Sequence, residues 1–275
     1  MTVVTPPRPG PLWRAFGLGL AAPLFLLTWD TGSAVAITRH ARFLLGDELS
    51  LYLIIKSGFV IVLALLITAF GAWRRLGYLG GSGWRLWVLM LPAWLSAALS
   101  LAHGAADIPA SRCLGWLGLG ILIALGEETI FRGAVLTAFE GRGPRVAIIV
   151  SSILFGLIHL VGIGGGVDIR MVVAQMVYAT GLGISFAWVR IASGSIWPCV
   201  IAHAVMDGIG LVAADGVGNA LRYDSDRYPA ALASAAASLG WGIFLLRRPP
   251  PAAVSSGAAA AAPAARAIPG EDRAE

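Results

Sequence analysis

Long apolar stretches with few charges recur along this chain, and they constrain its fold more than any other feature. Stretches such as 51–70 and 146–163 approach the length of about 20 mostly apolar residues that a membrane-spanning helix needs. Charged residues make up 13% of the chain, against roughly 25% in soluble domains, and they cluster between the apolar stretches. The sequence therefore predicts helices that cross a bilayer, because a helix satisfies its own backbone hydrogen bonds there.

Apolar length and helix-ending residues divide the chain into one membrane domain with two tails. The candidate spans are 14–37, 51–73, 84–102, 113–139, 146–163, 169–190, 194–213 and 229–246. This pattern predicts an all-α, polytopic transmembrane bundle of about eight spans. The domain covers 14–248, with the chemistry-bearing residues in 113–213. The Pro-rich segment 1–13 and the Ala/Pro/Ser-rich segment 249–275 are predicted to be disordered, because neither can form a core.

The net charge of +5 comes from arginines that lie mainly at the ends of spans. Arginine there anchors helices at a membrane surface, so the charge does not indicate nucleic-acid binding. If the spans alternate in direction, ten arginines fall on the side of the termini and six on the other. Because positive loops stay inside, this asymmetry predicts a multi-pass protein of the cell membrane with both termini in the cytosol.

The first span has one alternative interpretation, as a cleaved secretory signal. Ala34, Val35 and Ala36 fit the small-x-small pattern of a cleavage site. The apolar run is long for such a signal, however, and Asp30 interrupts its end. We therefore expect a retained first helix. The two cysteines lie outside any CxxC pair, so neither a disulfide framework nor a zinc spacing is expected.

Charged and polar residues inside the spans are costly, so each indicates a functional site. The central set comprises Glu127, Glu128, Arg132, His159, His203 and Asp207. Counted from the arginine-rich edge of its own span, each of Glu127, His159 and Asp207 lies 13 residues in. At 1.5 Å per residue this is a depth of about 20 Å. Three helices are thus predicted to bring polar groups into one layer.

Spacing along the helices suggests local partners. Glu128 precedes Arg132 by four residues, the favourable order for an ion pair, and this leaves Glu127 free to face the other site residues. His203 and Asp207 share the same spacing, which suits a metal, a water or a substrate carbonyl. The alternative for this pair is a buried hydrogen bond that only joins helices. His159 taken alone would be an ordinary core histidine.

Three short motifs in order resemble one family. Gly-Glu-Glu-Thr-Ile-Phe-Arg-Gly at 126–133 resembles the EExxxR motif of the CAAX-protease and bacteriocin-processing (CPBP, or Abi) family, which includes prenyl-protein endopeptidases of the Rce1 type. The segment from Phe155 to His159 resembles its FxxxH motif, and the segment from His203 to Asp207 resembles its HxxxN/D motif. Each motif alone is weak, but their order and spacing together are specific.

The resemblance implies a role for each residue. Glu127 matches the glutamate regarded as the general base, and Glu128 and Arg132 complete the first motif. His159 and His203 match the histidines that orient water or stabilise an oxyanion, and Asp207 matches a position often held by asparagine. The family is commonly called a metalloprotease family, which would make His159, His203 and Asp207 ligands of a divalent ion such as Zn²⁺. A glutamate-driven reaction without metal has also been argued, and this chain lacks the HExxH spacing of zincins.

The sequence therefore predicts a CAAX-type intramembrane endopeptidase that hydrolyses a peptide bond with water activated by Glu127. Its expected partners are membrane lipids and a peptide or membrane-protein substrate, prenylated or not, and no nucleic acid. One alternative is a non-catalytic membrane scaffold or bacteriocin-immunity protein of the same fold. The other is a proton-coupled transporter, against which the lack of a convincing internal repeat argues.

Overall fold

The structure, a computed structural model, contains helices joined by loops and no strand in the ranges it describes, which are 12–40, 47–81, 84–102, 104, 106–226 and 228–248. The α-helices are α1 (Leu12–His40), α2 (Glu48–Ala69), α3 (Leu91–Ala102), α4 (Ala110–Glu128), α5 (Leu136–Phe139), α6 (Pro144–Leu157), α7 (Val161–Gly164), α8 (Ile169–Ser193), α9 (Trp197–Ala214), α10 (Val217–Ala220) and α11 (Tyr228–Leu246). The 3₁₀-helices are Trp84–Met90, Glu140–Arg142 and Ile158–Leu160, and Thr129–Val135 is a π-helix.

The described helices confirm a polytopic bundle of about eight spans. Seven segments are long and apolar enough to cross a membrane, and a further apolar helix at Leu86–Ala102 is shorter. The seven are Gly19–Ile37, Glu48–Ala69, Ala110–Arg142, Pro144–Gly164, Ile169–Ser193, Trp197–Ala214 and Tyr228–Leu246. Helix α1 begins at Leu12, so the first predicted tail would end at residue 11 at the latest. Residues 1–11 and 249–275, where disorder is predicted, lie outside the described ranges.

The shorter segment also crosses the bundle, as the relative direction of α2 and α4 shows. Leu49 lies against Gly115, and Phe59 lies against Gly126. Both helices therefore run in the same direction, and the chain between them must return across the bundle. The 7 residues of 3₁₀-helix and the 12 residues of α3 that form this return span about 32 Å, close to the hydrocarbon thickness of about 30 Å.

Close helix packing brings α4 and α9 together at the centre. Gly120 on α4 lies directly against the backbone of Gly208 on α9, where a Cβ atom would overlap it. Small residues allow such close approach of helices in membranes. A glycine also allows α6 to approach α8 closely, because Gly156 lies against Thr180. These contacts fix the four helices that carry or surround the predicted site.

A charge network joins three helices at the end away from the termini. Arg112, at the start of α4, bonds to both Asp47 at the start of α2 and Asp215 at the end of α9. Hydrogen bonds from Ser50 and from Arg112 lower the pKa of Asp47 below its usual value. Hydrogen bonds from Arg112 and Trp116 lower the pKa of Asp215 in the same way. Both carboxylates are therefore ionised at neutral pH and hold these helix ends together.

A second ion pair ties α1 to the bundle within the spans. Lys56 Nζ on α2 lies 2.6 Å from Asp30 Oδ2 on α1. Beside it, Trp29 Nε1 donates to the backbone oxygen of Ile55 at 3.0 Å. Each of these two charges thus has a partner on the neighbouring helix, so α1 packs as a member of the bundle.

The span predicted at 113–139 is not a regular α-helix. Helix α4 ends at Glu128 and continues without a break as the π-helix Thr129–Val135. π-Helical turns inside α-helices are rare and frequently mark functional sites. This one begins immediately after the two adjacent glutamates of the first motif.

Candidate active site

The predicted ion pair of the first motif is confirmed. Arg132 Nη1 lies 3.2 Å from Glu128 Oε1, and both side chains are 0% exposed. The guanidinium carbon of Arg132 also lies 4.2 Å from the ring centroid of Phe155 and 5.3 Å from that of Phe186. Aromatic faces attract a desolvated cation, so the two rings and Glu128 together compensate for the burial of this charge.

His203 joins α9 to the first motif. Its Nδ1 atom lies 2.8 Å from Glu128 Oε1, and its Nε2 atom lies 3.3 Å from Asp207 Oδ2. The second contact places the predicted His203–Asp207 pair side by side. The hydrogen bond to Glu128 was not predicted, because spacing within one helix carries no information about partners on another. Glu128 thus holds Arg132 and His203 at once.

The two adjacent glutamates differ in environment, as the spacing predicts. The Glu128 side chain is 0% exposed and bonded on two sides, whereas the Glu127 side chain is 16% exposed. Glu127 Oε2 lies 3.9 Å from His203 Nε2, which is beyond hydrogen-bonding distance. Within the described ranges Glu127 makes no hydrogen bond. Its carboxylate is therefore accessible and unengaged beside the histidine.

His159 follows α6, in the 3₁₀-turn Ile158–Leu160. Its Nδ1 atom lies 2.9 Å from the backbone oxygen of Phe155. Since a carbonyl oxygen only accepts, Nδ1 carries the proton and Nε2 has a lone pair available in the neutral ring. The Phe155 ring contacts both histidines, with centroids 5.4 Å from His159 and 5.9 Å from His203. Phe155 thus links the two imidazoles and also supports Arg132.

The assignment of His159, His203 and Asp207 as ligands of a divalent ion remains a prediction. Within the described chain, no group of three or more His, Cys, Asp or Glu side chains is arranged to hold an ion. His203 Nδ1 is bonded to Glu128, and its Nε2 atom faces Asp207. His159 comes from a different part of the chain, with Nδ1 bonded to its own backbone and Nε2 available.

The sequence did not single out some residues that complete the site. Phe186 on α8 contacts both Arg132 and His203 but belongs to none of the motifs. Thr129, at the start of the π-helix, bonds to Tyr78 from the loop after α2. No pattern in the sequence marks Phe186 or Tyr78, because a single aromatic residue in an apolar chain is usually part of the core.

These features define the class of the protein. It is a multi-pass integral membrane protein in which an accessible carboxylate, a buried ion pair and two histidines converge between membrane-spanning helices. Residues 109–209 match the family model described as Type II CAAX prenyl endopeptidase Rce1-like. All of the predicted site residues lie within that range. No curated protein and no solved structure matches the chain. The family match confirms the resemblance and supports a CAAX-type intramembrane protease in general.

Proposed function

We propose that this chain is an intramembrane endopeptidase in which Glu127 is the general base that activates water. The observation that carries the proposal is the contrast between the adjacent glutamates. Glu128 is fully buried and holds Arg132 and His203, while Glu127 is accessible and lacks a hydrogen bond in the described chain. An unengaged carboxylate open to water suits a base that must accept a proton.

The surrounding side chains supply the other steps. Both nitrogens of His203 face carboxylate oxygens, so each N–H of the ring can donate to a carboxylate or to a developing oxyanion. After Glu127 takes a proton from water, the hydroxide attacks the scissile carbonyl. His203 Nε2–H stabilises the oxyanion, and the adjacent Asp207 orients the imidazole. His159, through Nε2, orients the water or protonates the leaving amine. No step requires a metal.

We propose that the substrate is a membrane-associated peptide or protein, prenylated or not. The site lies between membrane-spanning helices, so a scissile bond must reach it from a chain held at or in the bilayer. The matching family's description names CAAX prenyl endopeptidases, which supports a lipid-anchored substrate. We further propose that both termini lie in the cytosol, on the strength of the arginine asymmetry.

Substitution of Glu127 tests the proposed function. We expect Glu127→Gln to lower the rate of cleavage by about 10²–10⁴, the usual contribution of a general base, while the protein still folds and binds substrate. The variant should therefore trap substrates, which proteomics of the captured peptides would identify and which the wild-type protein should then cleave. Glu140→Gln, at an exposed carboxylate outside the site, is the matched control and should keep full activity.

A Glu127→Gln variant that cleaves a validated substrate at the wild-type rate would show that the base is assigned wrongly. A wild-type protein that binds the trapped peptides without cleaving them would favour the scaffold function instead.

A further inference from the structure

A tyrosine from the loop after α2 inserts between the two helices that form the site. Tyr78 packs against the cluster of Ala124 on α4 with Ile196 and Val200 at the start of α9. Its ring also meets the Trp197 ring edge-on, with centroids 5.6 Å apart. A side chain from outside both helices thus fills the space between them.

The contact lies one helical turn from the catalytic groups. Ala124 precedes Glu128 by four residues on α4, and Val200 precedes His203 by three residues on α9. Because α4 and α9 run antiparallel, with Gly120 against Gly208, the Glu128–His203 hydrogen bond of 2.8 Å crosses between the levels of Ala124 and Val200. The size of the Tyr78 ring therefore contributes to the helix separation on which this hydrogen bond depends.

The Tyr78 hydroxyl reaches the junction between α4 and the π-helix. Thr129 Oγ1 donates to the backbone oxygen of Leu125, so it accepts its second bond from the Tyr78 O–H. Thr129 is the first residue of the π-helix and the neighbour of Glu128. Burial raises the pKa of Tyr78, which keeps its hydroxyl protonated as a donor. This chain of two hydrogen bonds fixes the backbone directly beside the glutamates.

The loop that carries Tyr78 is itself held in place. The backbone oxygen of Gly77 accepts from the Ile196 N–H at 3.1 Å, and Trp197 Nε1 donates to the backbone oxygen of Tyr78 at 3.0 Å. Gly77 has a φ of +93°, and a Cβ atom there would overlap the Arg190 guanidinium. The turn between α8 and α9 thus orients Tyr78 toward the site.

We propose that Tyr78 is a positioning residue of the intramembrane site. Its ring sets the separation of α4 and α9, and its hydroxyl fixes the junction between the α- and π-helical segments. Glu128 is thereby held within hydrogen-bonding reach of His203, and Glu127 is held beside the same histidine. The kinetic consequence of this role rests on the proposed protease function, whereas the geometric consequence at His203 does not.

The kinetic test compares two tyrosine hydroxyls. We expect Tyr78→Phe to lower kcat by on the order of 10-fold, with KM changed less than about twofold, because small misplacements of catalytic groups act on the chemical step. Tyr52→Phe removes the hydroxyl of a half-buried tyrosine on α2 that packs in a different cluster, and it should leave both constants unchanged. A wild-type kcat for Tyr78→Phe overturns the proposal.

A spectroscopic test does not depend on turnover. The chain has only four histidines, so ¹⁵N-histidine labelling gives few signals, and His203→Gln identifies that of His203. Tyr78→Phe should move the His203 Nδ1 resonance, which reports its hydrogen bond to Glu128, and Tyr52→Phe should not. An unmoved resonance overturns the positioning role whatever the kinetics show. A moved resonance in a protein without activity supports the positioning role and counts against the protease function alone.

A second variant removes the same hydrogen bond from its other side. Thr129→Val keeps the shape of the side chain but loses the hydroxyl that bonds to Tyr78. It should reproduce the shift of the His203 resonance, and it keeps the proposal testable if Tyr78→Phe fails to accumulate. A Thr129→Val protein with an unchanged His203 resonance counts against the hydroxyl's role.

Discussion

Arg132 is the residue whose burial is hardest to account for by stability alone. It is 0% exposed, and its Nε and Nη2 atoms have no hydrogen-bond partner in the part of the chain that the structure describes. An unsatisfied buried donor costs about 1–3 kcal/mol. The carboxylate of Glu128 and the rings of Phe155 and Phe186 offset part of this cost. We infer that Arg132 holds the Glu128 side chain oriented toward His203.

Removing the Arg132 side chain and removing the Glu127 side chain should therefore have different effects on stability. We expect Arg132→Ala to lower the free energy of unfolding by about 3–5 kcal/mol, because it leaves Glu128 buried without its cation. Glu127→Ala should leave stability unchanged or raise it, since Glu127 lacks a close ion-pair partner at hydrogen-bonding distance. Thermal unfolding of both variants in the same detergent makes the comparison. Equal unfolding midpoints would contradict a stabilising Glu128–Arg132 pair.

Asp207 distinguishes a hydrogen-bonding site from a metal site. Its carboxylate lies 3.3 Å from His203 Nε2 and its side chain is 27% exposed, so it can reach a substrate. We expect Asp207→Asn to keep substantial activity, because an amide can donate to the oxyanion, and Asp207→Ala to lose about 10²–10³ in rate. Cleavage of a fluorogenic peptide by purified enzyme, with and without chelator, measures both effects. An inactive Asn variant together with chelator-sensitive activity restored by zinc would make Asp207 a metal ligand.

The sequence predicted the partners within each helix better than those between helices. The pairs Glu128–Arg132 and His203–Asp207 follow from the i,i+4 spacing, and both are in contact in the structure. The hydrogen bond from His203 to Glu128 joins residues 75 apart in sequence and depends on how α4 and α9 pack. A common depth in the membrane predicts that the two residues lie near each other. The spacing of residues within one helix does not show which atoms form the hydrogen bond.

At the scale of elements, the π-helix is the main feature that the sequence did not predict. The residues of Thr129–Val135 are compatible with an ordinary α-helix, because they include no proline and no other strong helix breaker than one glycine. The π-helical turn instead depends on its surroundings. Thr129 bonds to Tyr78, and Ser151 on α6 donates to the backbone oxygen of Phe131 at 2.7 Å. These partners come from distant parts of the chain, so local propensity could not reveal the turn.

The predicted spans were more reliable than their predicted internal geometry. The segment at 84–102 was predicted as a span, and the structure forms it from a 3₁₀-helix followed by α3. Hydropathy measures apolar length, which is the property that the bilayer selects, and so it identified the crossing. It does not distinguish 3₁₀- from α-helical backbone, because the two differ in hydrogen bonding rather than in composition.

At the scale of the whole molecule, the parallel contact of α2 with α4 sets the number of crossings. It requires the segment before α4 to return through the bundle, so the described helices make eight crossings and both ends of the described chain lie on one side. Composition alone did not determine the number of crossings, because Leu86–Ala102 is shorter than the other spans. We propose, from the arginine asymmetry, that this side is the cytosol.

Reporter fusions test this orientation. A reporter fused after Arg248 should be active in the cytosol, and one inserted in 213–228 should be active on the opposite face, because α11 separates the two positions. A reporter inserted near Gly143, between the π-helical span and α6, is a matched control that should behave like the fusion after Arg248. Activity on the opposite faces at all three positions would invert the proposed orientation.

The ion pair between Asp30 and Lys56 has a consequence for biogenesis. A charged side chain near the centre of an isolated span costs about 2.5–3.5 kcal/mol during insertion by the translocon. α1 carries the acid and α2 carries its base, at 2.6 Å from each other in the finished bundle. The two helices therefore leave the translocon most favourably as one hairpin, with the charges already neutralised. Membrane integration of α1 is then coupled to that of α2.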